Sequence, residues 1–291
     1  MPNCKICLLY SGSRGNSAFI EAGGAKILID AGKSAKALCS ALCDIGVDID
    51  SIDAIFVTHE HRDHVSALQT LSHKHNIPIH ILLSSAEIYY GLKDEKLCAC
   101  LSLKMGDSFE VDVNELHVKA FPTPHDSRGA VGYRLTFLED GEEYSIGYAT
   151  DTGCVTDAMR ENLTGCFAAV IESNHDLDML REGPYPPELK QRIRSKKGHL
   201  SNPDCAAFAA SLCQNGTRHI MLAHLSEENN DPSLAYNATL AAIADDTVTL
   251  KVAAQEETVW LLKFVINCDL SRSYYISNGL KILHGYTINE M

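Results

Sequence analysis

The sequence predicts an α/β domain in which two sheets pack together with helices outside them. Strand and helix patterns alternate through the first third of the chain, and four strand patterns crowd its middle. A histidine-rich segment, Thr58-His59-Glu60-His61-Arg62-Asp63-His64, stands at a strand-to-helix junction, where such folds mount their chemistry.

Residues 6–10, 18–21 and 26–29 read as strands, with Gly23-Gly24 as a hairpin turn between the last two. A helix is expected from about 34 to 45, ended by Gly46. The apolar stretch 52–57 is a strand leading into the histidine-rich segment, the spacing of 65–71 is helical, and 77–83 is a further strand. Strands follow at 108–111, 116–121, 132–137 and 144–148, the last two joined by the turn Glu139-Asp140-Gly141-Glu142. Helices are expected near 155–162, 176–181, 187–194, 203–213 and 232–244, then strands at 248–253 and 258–265. One domain would span 1–267. The stretch 268–291 lacks an amphipathic period and reads as a C-terminal extension.

Hydrophobic residues make up 45% of the 291, enough for a sizeable core. The formal charge of −13 argues against a general DNA coat or a binder of anionic membranes, though not against a local basic groove. No apolar run approaches the ~20 residues of a membrane span. The first ten residues are too short and polar for a signal peptide, so a cytoplasmic protein is expected. Eleven cysteines then read as reduced thiols, mostly small core residues. Cys4 and Cys7 form a lone C-x-x-C on a strand pattern with no second pair, weak support for a zinc or redox role.

H-x-H-x-D-H offers four potential metal ligands within six residues. In extended chain His59 and His61 point to the same side. Asp63 and His64 enter the first helical turn and face a second point. The segment can thus give two ligands to each of two metals; surface histidines on a polar loop are the ordinary alternative. His125, Asp151 and His224 each follow an expected strand and are candidates to complete the set. Imidazole and carboxylate donors without thiolate suit Zn²⁺, and also Mn²⁺ or Fe.

Other segments bear on substrate. Ser13, Asn16 and Ser17 lie in the glycine-rich loop Ser11-Gly12-Ser13-Arg14-Gly15-Asn16-Ser17, which is either an anion nest or a tight turn. His175 and His199 sit at strand-to-helix junctions, placed to protonate a leaving alkoxide or bind a phosphoryl oxygen, unless they are structural. Lys190, Arg192, Arg194, Lys196 and Lys197 form a basic run, either a solvated helix face or a nucleic-acid backbone contact.

In order, Asp30, H-x-H-x-D-H at 59–64, His125, Asp151 and His224 resemble the five motifs of the metallo-β-lactamase fold, over roughly residues 4–265. The resemblance implies an αββα sandwich of two mixed sheets with outer helices and two divalent metals in a groove at one edge. It implies that His59, His61 and His125 bind one metal and Asp63, His64 and His224 the other. Asp151 would bridge them, and Asp30 would hold the histidine-rich loop from behind. Two metals roughly 3.5–4 Å apart would stabilise charge on the attacked atom and lower the pKa of a bridging water toward ~7. Asp63, Asp151, His175 and His199 are then the expected catalytic set. Antibiotic-cleaving members lack an aspartate like Asp151, and flavodiiron members carry Glu where His61 stands, so neither lactam cleavage nor redox chemistry is expected.

S-G-S-R-G-N-S, T-H-E-H-R-D-H, T-P-H-D, A-T-D-T-G, E-S-N-H-D-x-x-M-L, G-P-Y-P-x-x-L-K-x-R-I, G-H-L-S-N and A-H-L-S-x-x-N-N together resemble the YycJ (WalJ) branch of that fold. The branch implies a cytosolic metal-dependent 5′→3′ exonuclease on double-stranded DNA, linked to DNA repair, with hydroxide attacking phosphorus. The chain lacks the protruding arm of tRNA-processing relatives and the inserted cap of the β-CASP group. With the net charge of −13, that keeps a small-molecule hydrolase of cyclic phosphates or thioesters as the alternative.

Overall fold

The computed structural model describes residues 2–90 and 93–263. The chain first lays down β1 (Lys5–Tyr10), β2 (Ser17–Ala22), β3 (Ala25–Ile29), β4 (Ala54–Phe56), β5 (Ile79–Leu82) and β6 (Leu101–Lys104). It then builds β7 (Phe109–Val113), β8 (Leu116–Pro122), β9 (Val131–Glu139), β10 (Glu142–Ala149), β11 (Ala168–Glu172), β12 (His219–Ala223) and β13 (Thr249–Val252). β14 (Val259–Leu262) crosses back to the first sheet. The sheets run β14-β1-β2-β3-β4-β5-β6 and β13-β12-β11-β10-β9-β8-β7. Each is mixed: β3 to β6 and β10 to β13 pair in parallel, and the other pairings are antiparallel.

The strand pattern explains the layering. In β1, Ile6 and Leu8 join a core shared by both sheets, while Cys7 and Leu9 join a core on the outer face. In β11 and β12, Val170 and Met221 point to the shared core, while Ala169, Ile171, Ile220 and Leu222 point outward. Strands buried on both faces read as continuous apolar runs, and they require helices on both outer sides. Those helices are α1 (Ala35–Asp44), α2 (Arg62–Val65), α3 (Leu68–His75), α4 (Leu83–Tyr90) and α5 (Glu95–Cys100) in the first half. The second half has α6 (Asp157–Leu163), α7 (Leu177–Glu182), α8 (Pro187–Ile193), α9 (Asn202–Gln214) and α10 (Pro232–Ile243). Leu38, Leu42, Leu68 and Leu71 pack on the first sheet; Met159, Leu163, Phe208 and Leu212 pack on the second.

The two mixed sheets with flanking helices are the expected αββα sandwich. The Gly23-Gly24 and Asp140-Gly141 hairpins occur where expected, all four residues at positive φ. Between 83 and 104 the expectation was incomplete: α4 begins where strand 77–83 was expected to end, and α5 and β6 were not foreseen. Cys4, just before β1, packs into the core between the sheets, while Cys7 packs into the core on the outer face, and burial pushes both thiols up to about 12. The ten cysteines among the described residues are all free. No described helix is long and apolar enough to cross a membrane. The expected extension 268–291 lies outside the described residues.

Candidate metal centre

Asp30 follows β3, the 58–64 loop follows β4, His125 follows β8, Asp151 follows β10, and His224 follows β12. All lie beyond the carboxyl ends of strands, along one edge of the sandwich, the usual ligand crevice of parallel sheets. Asp30, Asp151 and His224 adopt left-handed φ of 63°, 55° and 57°. Non-glycine residues rarely hold that conformation, which costs of order 1 kcal/mol or more and turns the side chain sharply off the strand direction. The sequence accepts that strain at three positions that all aim into one cluster.

Within the cluster, His59, His61 and His125 offer ligand atoms within 4.8 Å of one another, as do Asp63, His64 and His224. Asp151 lies between the groups: its Oδ2 is 3.5 Å from His64 Nε2, and its Oδ1 is 3.3 Å from His224 Nε2 and 3.9 Å from His125 Nε2.

The far sides of the His64, His59 and His125 rings are fixed by the protein. Asp30 accepts the Thr58 backbone N–H on one oxygen (2.8 Å), and the Thr58 hydroxyl (2.8 Å) and His64 Nδ1 (2.7 Å) on the other. His59 Nδ1 meets Thr58 Oγ1 at 3.0 Å, and His125 Nδ1 meets the Gly198 carbonyl at 3.3 Å. Each contact points Nε2 of its ring inward. Gly32 lets the histidine-rich loop seat itself: a Cβ there would lie 1.6 Å from the Asp63 carbonyl oxygen, which accepts the Asn16 N–H at 2.7 Å.

His59 Nε2, His224 Nε2 and Asp151 Oδ2 are buried without a hydrogen-bond partner. Orphaned polar atoms converging on one place are costly unless a ligand satisfies them, and nitrogen and carboxylate donors fit a divalent cation. The electrostatics agree. Burial, then neighbouring imidazoles, holds the His59 pKa well below its usual value; burial also lowers His125. Burial alone would lower His64 and His224. For His64, Asp151, Asp30 and Asp63 outweigh it and raise the pKa well above normal. For His224, Asp151, Asp63 and Glu172 raise it to about 10. The carboxylates around these rings favour positive charge at the cluster, as a divalent cation would supply.

Glu172, the last residue of β11, was not singled out from the sequence. It is fully buried; Oε1 accepts from His199 Nδ1 (2.7 Å) and His224 Nδ1 (3.0 Å), and Oε2 from the Thr152 N–H (2.8 Å) and Leu200 N–H (3.3 Å). The signal was a carboxylate closing an otherwise apolar buried strand. His199 stacks on His224, with ring centroids 5.2 Å apart, and lines a pocket of ≈ 210 Å³ beside the cluster.

The other candidates divide. The His175 ring is buried and joins none of the ligand groups; burial pulls its pKa down to about 4. Ser13 is exposed and lines the pocket beside His199. Asn16 and Ser17 are buried and bonded within the protein. Asn16 brackets Gly12 and reaches Asp63, Ser17 Oγ donates to the Asp30 carbonyl, and neither is left open to a substrate. In the basic run, Lys190 donates to the carbonyls of Arg181 and Gly183. Arg192 pairs with Asp126 at the pocket rim. Arg194, Lys196 and Lys197 are exposed and form no ion pair among the described residues.

Fold and cluster together define a metal-dependent hydrolase. The family profile described as "Beta-lactamase superfamily domain" matches residues 25–225. The chain is 34% identical over 244 residues to Exodeoxyribonuclease WalJ of Streptococcus pneumoniae, covering 82% of this chain and 88% of that one. It is 35% identical over 232 residues to Exodeoxyribonuclease YycJ of Bacillus anthracis, covering 78% and 84%. The chain belongs to the beta-lactamase superfamily and, within it, to the family of WalJ and YycJ. The metallo-beta-lactamase fold protein YhfI from Bacillus subtilis superposes with a TM-score of 0.67 at 16% identity, over 89% of this chain and all of that one, which establishes the shared fold.

Proposed function

We propose that the protein is an exodeoxyribonuclease that hydrolyses phosphodiesters 5′→3′ on duplex DNA with two divalent cations. His59, His61 and His125 would hold one cation, Asp63, His64 and His224 the other, and Asp151 would serve both. The convergence of unsatisfied His59 Nε2, His224 Nε2 and Asp151 Oδ2 carries the metal reading. Kinship to two proteins named exodeoxyribonucleases supports the substrate. The donor set favours Zn²⁺, with Mn²⁺ or Fe as substitutes.

When bound, the cations would supply an activated water and offset charge building on the phosphoryl oxygens. The protein's share is orientation and proton transfer. Asp30 and Glu172 fix the tautomers of His64 and His224 through their Nδ1 atoms. His199 gives Nδ1 to Glu172, which leaves Nε2 to face a substrate in the adjoining pocket. From there it would protonate the leaving oxygen.

Incubation with Mn²⁺ and 5′-labelled duplex should release mononucleotides, and Asp151→Ala should release none. Intact duplex, or an Asp151→Ala protein as fast as wild type, would sink the reading. Turnover of bis-p-nitrophenyl phosphate with duplex left intact would instead assign a small-phosphodiester hydrolase.

A further inference from the structure

A second, wider pocket of ≈ 600 Å³ opens on the Asp63 side of the cluster, and Ser13 lines both pockets. Arg14, Lys33 and Arg62 line it, with Ser34 and Ser66. The chain carries 38 acidic residues against 25 basic, yet three cations line this pocket and Asp63 is its one acidic lining residue. Asp63 is turned into the cluster, 3.4 Å from His64 Nε2. The pocket beside His199 has a single Arg or Lys in its lining, Arg192, and Tyr185, Leu189, Ile193 and Leu225 give it apolar walls.

The cations are held in place. The Lys33 stem lies across Gly15, so close that a Cβ there would be 2.8 Å from it. Its ammonium sits 5.2 Å over the Tyr10 ring and 2.7 Å from Glu256. Arg14 reaches Glu227 at 2.7 Å. Both glutamates belong to the second half of the chain, so each ion pair links the first half to the second. Arg62 is exposed, has no ion pair among the described residues, and follows His61 directly.

We propose that this basic pocket is a phosphate subsite, in which Arg14, Lys33 and Arg62 hold the backbone of the DNA strand next to the phosphodiester at the cluster. The proposal rests on the nuclease reading and assigns the grip to a different part of the chain from the 190–197 run. The Arg14 side chain is exposed, and exposed ion pairs are weak, so a phosphate can displace Glu227 from it; at Lys33, the better-buried ammonium, a phosphate would share the charge with Glu256, which is itself half exposed. The retained strand then lies over the open basic pocket, while the terminal nucleoside faces the smaller pocket with Tyr185.

The test is equilibrium binding of a short fluorescein-labelled duplex to the full chain across a salt series, with chelator present to prevent cutting. Arg14→Glu, Lys33→Glu and Arg62→Glu should each weaken binding at least about tenfold and flatten the plot of log affinity against log salt by about one. Lys119→Glu, on the exposed face of β8, should change neither; thermal melts confirm that each variant is folded. Digestion of labelled duplex with Mn²⁺ is followed in parallel. Pocket variants that match wild type in affinity and slope, in a protein that digests DNA, overturn the subsite and leave the nuclease reading standing. A wild type that neither binds nor digests DNA overturns both.

Discussion

Glu172 orients two imidazoles with one carboxylate oxygen, while its other oxygen receives two backbone N–H groups. Glu172→Gln must present an N–H either to those amides or to the rings. Loss of such an orienting partner typically costs about 10–100-fold in metal affinity or activity. The variant should show that loss in a metal titration while its circular dichroism is unchanged; wild-type affinity would refute the orienting role. The sequence showed which residues could bind metal, because ligand types and spacing are local. It did not reveal Glu172, because orientation depends on a partner far along the chain. His175 was undecided for the same reason: only packing decides where a junction histidine points, and its ring lies buried outside the ligand groups. A second buried histidine predicts acid sensitivity. His80 stacks on Phe56 at 4.7 Å, and burial lowers its pKa to about 4. The unfolded chain takes up that proton near the ordinary pKa of about 6.5. His80 is therefore neutral about stability above pH 6.5 and reduces it as pH falls toward 4. His80→Phe should flatten the loss of stability across that window in urea titrations; an unchanged slope would show that His80 is not the group responsible.

Elements place these residues through their ends. The strands before Asp30, His125, Asp151 and His224 were legible because apolar alternation is local, and so were the glycine hairpins. The region of α4 and α5 was not: Ile79-His80-Ile81-Leu82-Leu83 is apolar in both β5 and the start of α4, and periodicity cannot divide so short a run. Gly32 shows how tightly one turn governs the next. In Gly32→Ala, a methyl 1.6 Å from the Asp63 carbonyl must push the histidine-rich loop away from the β3–α1 turn. We expect a loss of about 1–3 kcal/mol from overpacking together with weakened cation binding. Stability and affinity near wild type would mean that the loop has room the packing denies. Leu135, fully buried between the sheets, offers the contrast. Leu135→Ala should cost about 2–5 kcal/mol and spare cation affinity in whatever fraction remains folded.

At the scale of the whole molecule, the cluster joins the two halves of the sandwich. Asp30 and the 58–64 loop come from the first sheet, and His125, Asp151 and His224 from the second. A cation at 100 times its dissociation constant adds about 2.7 kcal/mol to the folded state. For a domain of this size, that is a shift of roughly 5–10 °C in melting temperature. Chelator should lower the melting point by that order, and Zn²⁺ or Mn²⁺ should restore it. A melting point indifferent to both would speak against cations binding across the halves.

β14 pairs with β1, although almost the whole chain separates them. A nascent chain leaves the ribosome amino end first, so β1 waits with one edge bare while the second sheet is still being made. Bare edges invite pairing with other chains, which makes the interval before residues 259–262 emerge the time of greatest aggregation risk. His224 also arrives late, so an unfinished chain carries an incomplete cation site. A nuclease assembled in this order would gain its cutting centre only after most of its translation is complete.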